Sequence, residues 1–199
     1  MTGTLDTRDF IKLRERFEQF EGQRELLIGK SREIVNLSKQ AIYAVHRNAL
    51  GESAKLIKDM EGKIVELKKI TEHFSSLDYS GSSKIAFQEY VEAVTLYEYV
   101  KNKKIPSSAK LKVEPEYYLL GLCDLTGELV RIAINAAIEG NFGKALEIKQ
   151  CVAEIYGEML KFDFRNGELR KKFDSIKYDL KKLEDLALDI KLRGEHHHA

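Results

Sequence analysis

Two pairs of acidic residues carry the chemistry this sequence could perform. Glu89 and Glu92 lie three apart in FQEYVEAV, and Asp124 and Glu128 lie four apart in DLTGE. At helical spacing each pair faces one way, within about 60°. Glu89 and Glu92 share their face with Ile85, Leu96 and Val100, an interleaving that a solvated surface would not show, so partial burial is expected. Asp124 and Glu128 belong to a narrow stripe of Tyr117, Gly121, Asp124, Glu128, Arg131 and Asn135. The rest of that segment is lined by Leu119, Leu122, Leu125, Leu129, Ala133 and Ala136. A helix apolar over most of its girth is buried, and buried carboxylates must pair with cations or bind metal. Arg131 alone compensates two of them poorly.

If the two helices meet, four carboxylates converge and repel unless a divalent cation sits among them. Oxygen ligands without His or Cys suit Mg²⁺ or Mn²⁺. Such ions stabilise a phosphoryl oxyanion and activate water, which is what phosphodiester hydrolysis requires. Spacing leaves a plainer alternative open: acids at helical intervals are commonly surface charges or salt-bridge partners, and nothing in the spacing makes the helices meet. A di-iron bundle is disfavoured, because that site needs Glu-x-x-His motifs and neither His46 nor His73 follows a Glu by three.

A second pattern is basic. Arg32, Lys39 and His46 recur every seven residues, with Arg47 beside the last, and could line one side of a long helix to contact phosphates. The alternative is a solvated face with scattered cations. Lys101, Lys103 and Lys104 close another segment, where they complement a helix dipole.

The elements that must position these residues read as helices throughout. Asp6 or Thr7 caps a first helix to about Leu50; a second follows Gly51, and a third runs from near Ser83 to Asn102. KNKKIPSSAKLKVEP reads as a loop, with both prolines of the chain in it. Pro115 suits the first turn of a fourth helix that ends at Glu139–Gly140. Asn141 starts a fifth, reaching about Phe164, and an amphipathic last helix follows Asn166–Gly167. No β-alternation, repeat or linker interrupts this, so the expectation is one all-α domain over residues 1–195, an elongated bundle of about six to seven helices. The terminal EHHHA, with residues 196–199 as its core, reads as the remnant of a purification tag.

Composition agrees. With 43% hydrophobic and 33% charged residues the chain is neither disordered nor membrane-spanning, and no run approaches the roughly 18 apolar residues of a membrane helix. MTGTLDTRDF lacks a secretory signal, and Cys123 and Cys151 belong to no metal-type cluster, so a reducing cytoplasmic setting is expected. A net charge of +1 means that any nucleic-acid contact must concentrate the basic groups on one surface.

KSREIVNLSKQAIYAVHR (Lys30–Arg47), QEYVEAV (Gln88–Val94) and YLLGLCDLTGELVRIAIN (Tyr118–Asn135), in that order, resemble TRAX-type members of the translin/TRAX family. The resemblance runs from about Phe17 to Arg193. It implies a translin-like fold, assembly into a closed barrel, typically an octamer, with nucleic acid inside, and a Mg²⁺-dependent endoribonuclease. The family's catalytic acids match Glu89, Glu92, Asp124 and Glu128, and a family arginine matches Arg131, implying an RNA or phosphate contact. Arg32, Lys39, His46 and Arg47 are implied to face the RNA. The tail FRNGELRKKFDSIKYDLKKLED (Phe164–Asp185) is closer to translin, which binds without the full acidic set. A homo-oligomer combining both roles follows, with RNA as ligand, single-stranded DNA as a second, and a translin-like partner as a further option. The shorter loop between the third and fourth helices carries over nothing tied to that region in larger TRAX chains. Two other functions stay open: a non-catalytic translin-like binder of single-stranded DNA or RNA, and a helical scaffold with internally paired acids.

Overall fold

A computed structural model describes residues 4–73 and 81–196, and the described elements are helices joined by short turns. They are α1 (Thr7–His46), α2 (Leu50–His73), α3 (Gly81–Asn102), α4 (Ser108–Leu111), α5 (Pro115–Ile138), α6 (Phe142–Met159) and α7 (Glu168–His196). This is the all-α bundle expected. His197 and His198 of the expected tag lie outside the described residues.

Boundaries follow local chemistry. Asp6 caps α1, accepting the backbone N–H groups of Arg8 and Asp9 at 3.0 and 3.3 Å. α1 stops at His46 rather than near Leu50, because Asn48 takes a left-handed φ of 60° and turns the chain into α2. The proline-bearing stretch is not wholly a loop: Ser107 accepts the Lys110 N–H and starts the single turn α4, which Lys112 ends at a φ of 53°. Pro115 occupies the first turn of α5, and Gly140 ends it at a φ of +77°, a conformation only glycine adopts freely. Asn141 caps α6 through the Lys144 N–H. α6 ends at Met159, not near Phe164; Phe162 and Phe164 stack at 5.4 Å in the turn beyond it, and Phe164 packs on Phe173 of α7.

The helices form two layers. α1 lies along α2 and α3; α5 lies along α6 and α7; the layers join where α3 packs on α5. Leu96, Leu125, Leu129, Ile148 and Ile176 are fully buried across the two layers. At the α3–α5 crossing, Gly121 is obligatory. A Cβ there would sit 2.6 Å from the Val91 side chain and 2.8 Å from the Gln88 carbonyl oxygen. Its absence lets the backbones close, and the acids flank this contact. Among the described residues no helix is long and apolar enough to cross a membrane.

Candidate functional site

α3 and α5 do meet, and their acids open onto one side of the crossing. Glu89, Glu92 and Glu128 line a cleft of about 300 Å³ together with Lys39, Ile42 and Tyr43 of α1 and Arg131 of α5. Asp124 lies one turn before Glu128, close enough for its charge to act on Glu89 and Glu92. Ser38 donates to the Glu89 carbonyl oxygen at 3.0 Å and ties α1 to α3 beside the cleft.

Glu92 is 9% exposed. Burial, then the charges of Asp124, Glu89 and Glu128, push its carboxyl up to about 8, so it holds its proton at neutral pH. Glu89, half-buried, is raised in the same direction by burial, with a hydrogen bond from Ser38 and then the charges of Lys39 and Lys172 opposing. Glu128 goes the other way: a hydrogen bond to His46 holds it below the usual carboxylate range against the cost of burial, with Arg131 helping at 3.8 Å. Two carboxyls of one cleft are thus driven to opposite protonation states by their surroundings.

The compensation that α5 itself lacks comes from other helices. Lys172 of α7 donates to Asp124 at 2.5 Å, and the Gln88 amide of α3 donates to the other carboxylate oxygen. His46 of α1 engages Glu128 through Nε2. Sequence patterning missed Lys172 and Gln88, since periodicity ranks residues along one helix and both act across a helix boundary. Ile85, taken as a cover for the acids, is instead half exposed, one turn before Glu89 in a groove it shares with Ile28 and Arg32.

The basic stripe divides. Lys39 and Arg131 rim the acidic cleft. Arg32 lines a separate groove with Ile28, Val35 and Asn36. Arg47 turns to Glu52 at 3.0 Å. His46 turns inward instead: its ring is 5% exposed and bound to Glu128, so it faces the acids. A seven-residue spacing drifts by roughly 20° per heptad on a straight helix, so by His46 the stripe has rotated into the α1–α5 contact. Cys123 and Cys151 are free thiols, and burial first of all pushes them up to about 12 and about 11, away from reactivity.

The donor set suits a hard divalent cation chemically: four carboxyls, and in Glu92 an acid kept protonated by burial and then by like charge, the second of which a cation would relieve. As they stand, no three His, Cys, Asp or Glu side chains among the described residues are grouped to hold one. Lys172 and Gln88 hold Asp124, and His46 holds Glu128.

Fold and cleft together define an all-α bundle with an acidic centre and a basic rim. Residues 22–194 match the Translin family, and the chain belongs to that family. It is similar to translin-associated protein X of Mus musculus, 27% identical with 85% of this chain and 73% of that protein covered. It is similar to translin of Bos taurus, 32% identical over 55% of this chain and 50% of that one. Among solved structures, apo-NeC3PO superposes with a TM-score of 0.85 at 27% identity, covering 94% of this chain and 98% of that one. A complex of AfC3PO with duplex RNA superposes at 0.81 with 25% identity, covering 93% and 97%.

Proposed function

We propose that this chain is a metal-dependent endoribonuclease working as a homo-oligomer, with Glu89, Glu92, Asp124 and Glu128 as ligands for Mg²⁺ or Mn²⁺. One observation carries it: acids from two helices share a cleft whose rim holds Lys39 and the exposed Arg131. The duplex RNA bound by AfC3PO supports RNA as the ligand class, with single-stranded DNA a second candidate. A bound divalent ion supplies positive charge for phosphoryl oxygens and lowers the pKa of water. The chain's own residues do the rest. Lys39 and Arg131 meet the phosphate; His46 fixes the Glu128 carboxylate; burial shields the Glu92 carboxyl while the other three acids stay partly open to solvent. Arg32, farther along α1, suits backbone contact away from the cleft, and Arg47, half exposed beside Glu52, is free to turn to a phosphate.

Exposed Phe10, Leu13 and Phe17 on the first turns of α1 favour assembly, with an octamer, or a complex with a translin-like second subunit, as the forms to test. The decisive experiment is cleavage of a short labelled RNA with Mg²⁺ or Mn²⁺, and with EDTA. Cutting should need the ion and fall to background in Glu128→Ala, with assembly intact; undiminished cutting in that variant would falsify the assignment.

A second reading has its own support. Two acids already have partners inside the chain, which suits a non-catalytic binder of single-stranded DNA or RNA. RNA that is bound but left whole by wild type in Mn²⁺ selects it.

A further inference from the structure

Lys172 stands where a cation-binding cleft would least be expected to hold a lysine. It projects from α7, a helix that contributes no acid to the cleft, and its ammonium donates to Asp124 at 2.5 Å. Both side chains are about a quarter exposed, 28% for Lys172 and 24% for Asp124. The ammonium also acts on Glu89 and Glu92, easing the charge of both. On the other side of the cluster the partners are committed elsewhere: the His46 ring and Arg131 serve Glu128, and Lys39 faces Glu89. Lys172 is therefore the cation of the α7 side, occupying an oxygen that a metal would need.

A lysine suits temporary occupancy. Its ammonium is a compact point charge on a flexible stem, not a planar fork that grips a carboxylate bidentately. Partial exposure gives it a route to water. A doubly charged ion binds the same oxygen more strongly than a single ammonium, so the exchange runs toward the metal once the ion is present in sufficient concentration.

We propose that Lys172 is a resident counter-ion of the acid cluster: it holds Asp124 in the cation-free protein and is displaced when a divalent ion binds. This rests on the cleft being a cation site, as proposed above. Lys172 is a positioning residue that sets the affinity for the ion, and the cleft takes Mn²⁺ or Mg²⁺ in competition with it.

The test is Mn²⁺ titration by calorimetry, with melting curves in EDTA and in Mn²⁺, on wild type, Lys172→Met and Lys172→Arg. All three carry the same C-terminal histidines, so only differences among them count. Lys172→Met keeps the stem and removes the charge. It should melt lower than wild type in EDTA, bind Mn²⁺ at least about tenfold more tightly, and gain more from Mn²⁺ on melting. Lys172→Arg keeps the charge with a firmer grip, folds as wild type does, and should bind Mn²⁺ less tightly than wild type. A merely structural lysine would lower the melting point of Lys172→Met and leave its Mn²⁺ affinity at the wild-type value; that result overturns the proposal and spares the cation site. Tighter binding by Lys172→Arg overturns it as well, and does so even if Lys172→Met fails to fold in EDTA. No Mn²⁺ binding by any of the three removes the cation site itself, and the proposal with it.

Discussion

Glu92 is the side chain on which the cleft's electrostatics converge. Its carboxyl, buried and facing three other acids, is pushed up to about 8 from an ordinary value of 4.5. Below about pH 4.5 it is protonated in folded and unfolded chains alike and costs nothing. Between about 4.5 and 8 the unfolded chain releases the proton while the folded chain keeps it, so stability falls as pH rises and levels off above 8. Glu92→Gln removes that cost. In EDTA the variant should melt higher than wild type at pH 7, by roughly 3 kcal/mol at the upper end, and equal it near pH 4. A variant destabilised equally at both values would mean the carboxyl contributes hydrogen bonds that outweigh its burial. Saturating Mn²⁺ should shrink the gap at pH 7, because bound cation stabilises the ionised form in wild type. Glu128, held low by His46, behaves oppositely: its contribution is present above the ordinary carboxylate range and lost as pH falls below it.

Among the elements, the α3–α5 contact decides whether a cleft exists. Gly121 permits it, and the neighbouring Val91 and Gln88 backbone leave no room for a methyl group. Gly121→Ala forces the helices apart or displaces Val91, at a cost of about 1–3 kcal/mol, measurable by denaturant titration. Because both helices of this contact carry acids of the cleft, RNA cleavage should drop more than the loss of folded protein explains. Unchanged stability would show that the contact gives way easily. Stacking of Phe87 on Tyr117 at 5.4 Å supports the same pairing from the N-terminal end of α5.

For the whole molecule, the open question is what covers the start of α1. Its first turns reach past the layers, and Phe10, Leu13 and Phe17, spaced three and four apart, are 48–65% exposed before Phe20 meets the core. Apolar residues repeated at this interval form a seam that a second helix covers. In the proposed homo-oligomer, Phe10→Lys with Phe17→Lys should reduce the mass measured by light scattering. The helical circular dichroism per residue should stay nearly unchanged. Retained mass would place the subunit contacts elsewhere.

The all-α class, the order of the long helices and the two acid pairs as candidates follow from sequence alone, because period, caps and apolar girth are properties of each segment by itself. Asp6, Pro115, Gly140 and Asn141 act at the helix ends their local chemistry suggests. The stops at His46 and Met159 are decided by turns beyond each helix, and the heptad stripe, read as one face, hides its rotation. Only the packed structure decides how charge is balanced. Lys172, Gln88 and His46 come to the acids from three different helices, and a contact between helices depends on how near and at what angle they cross, which no single segment encodes.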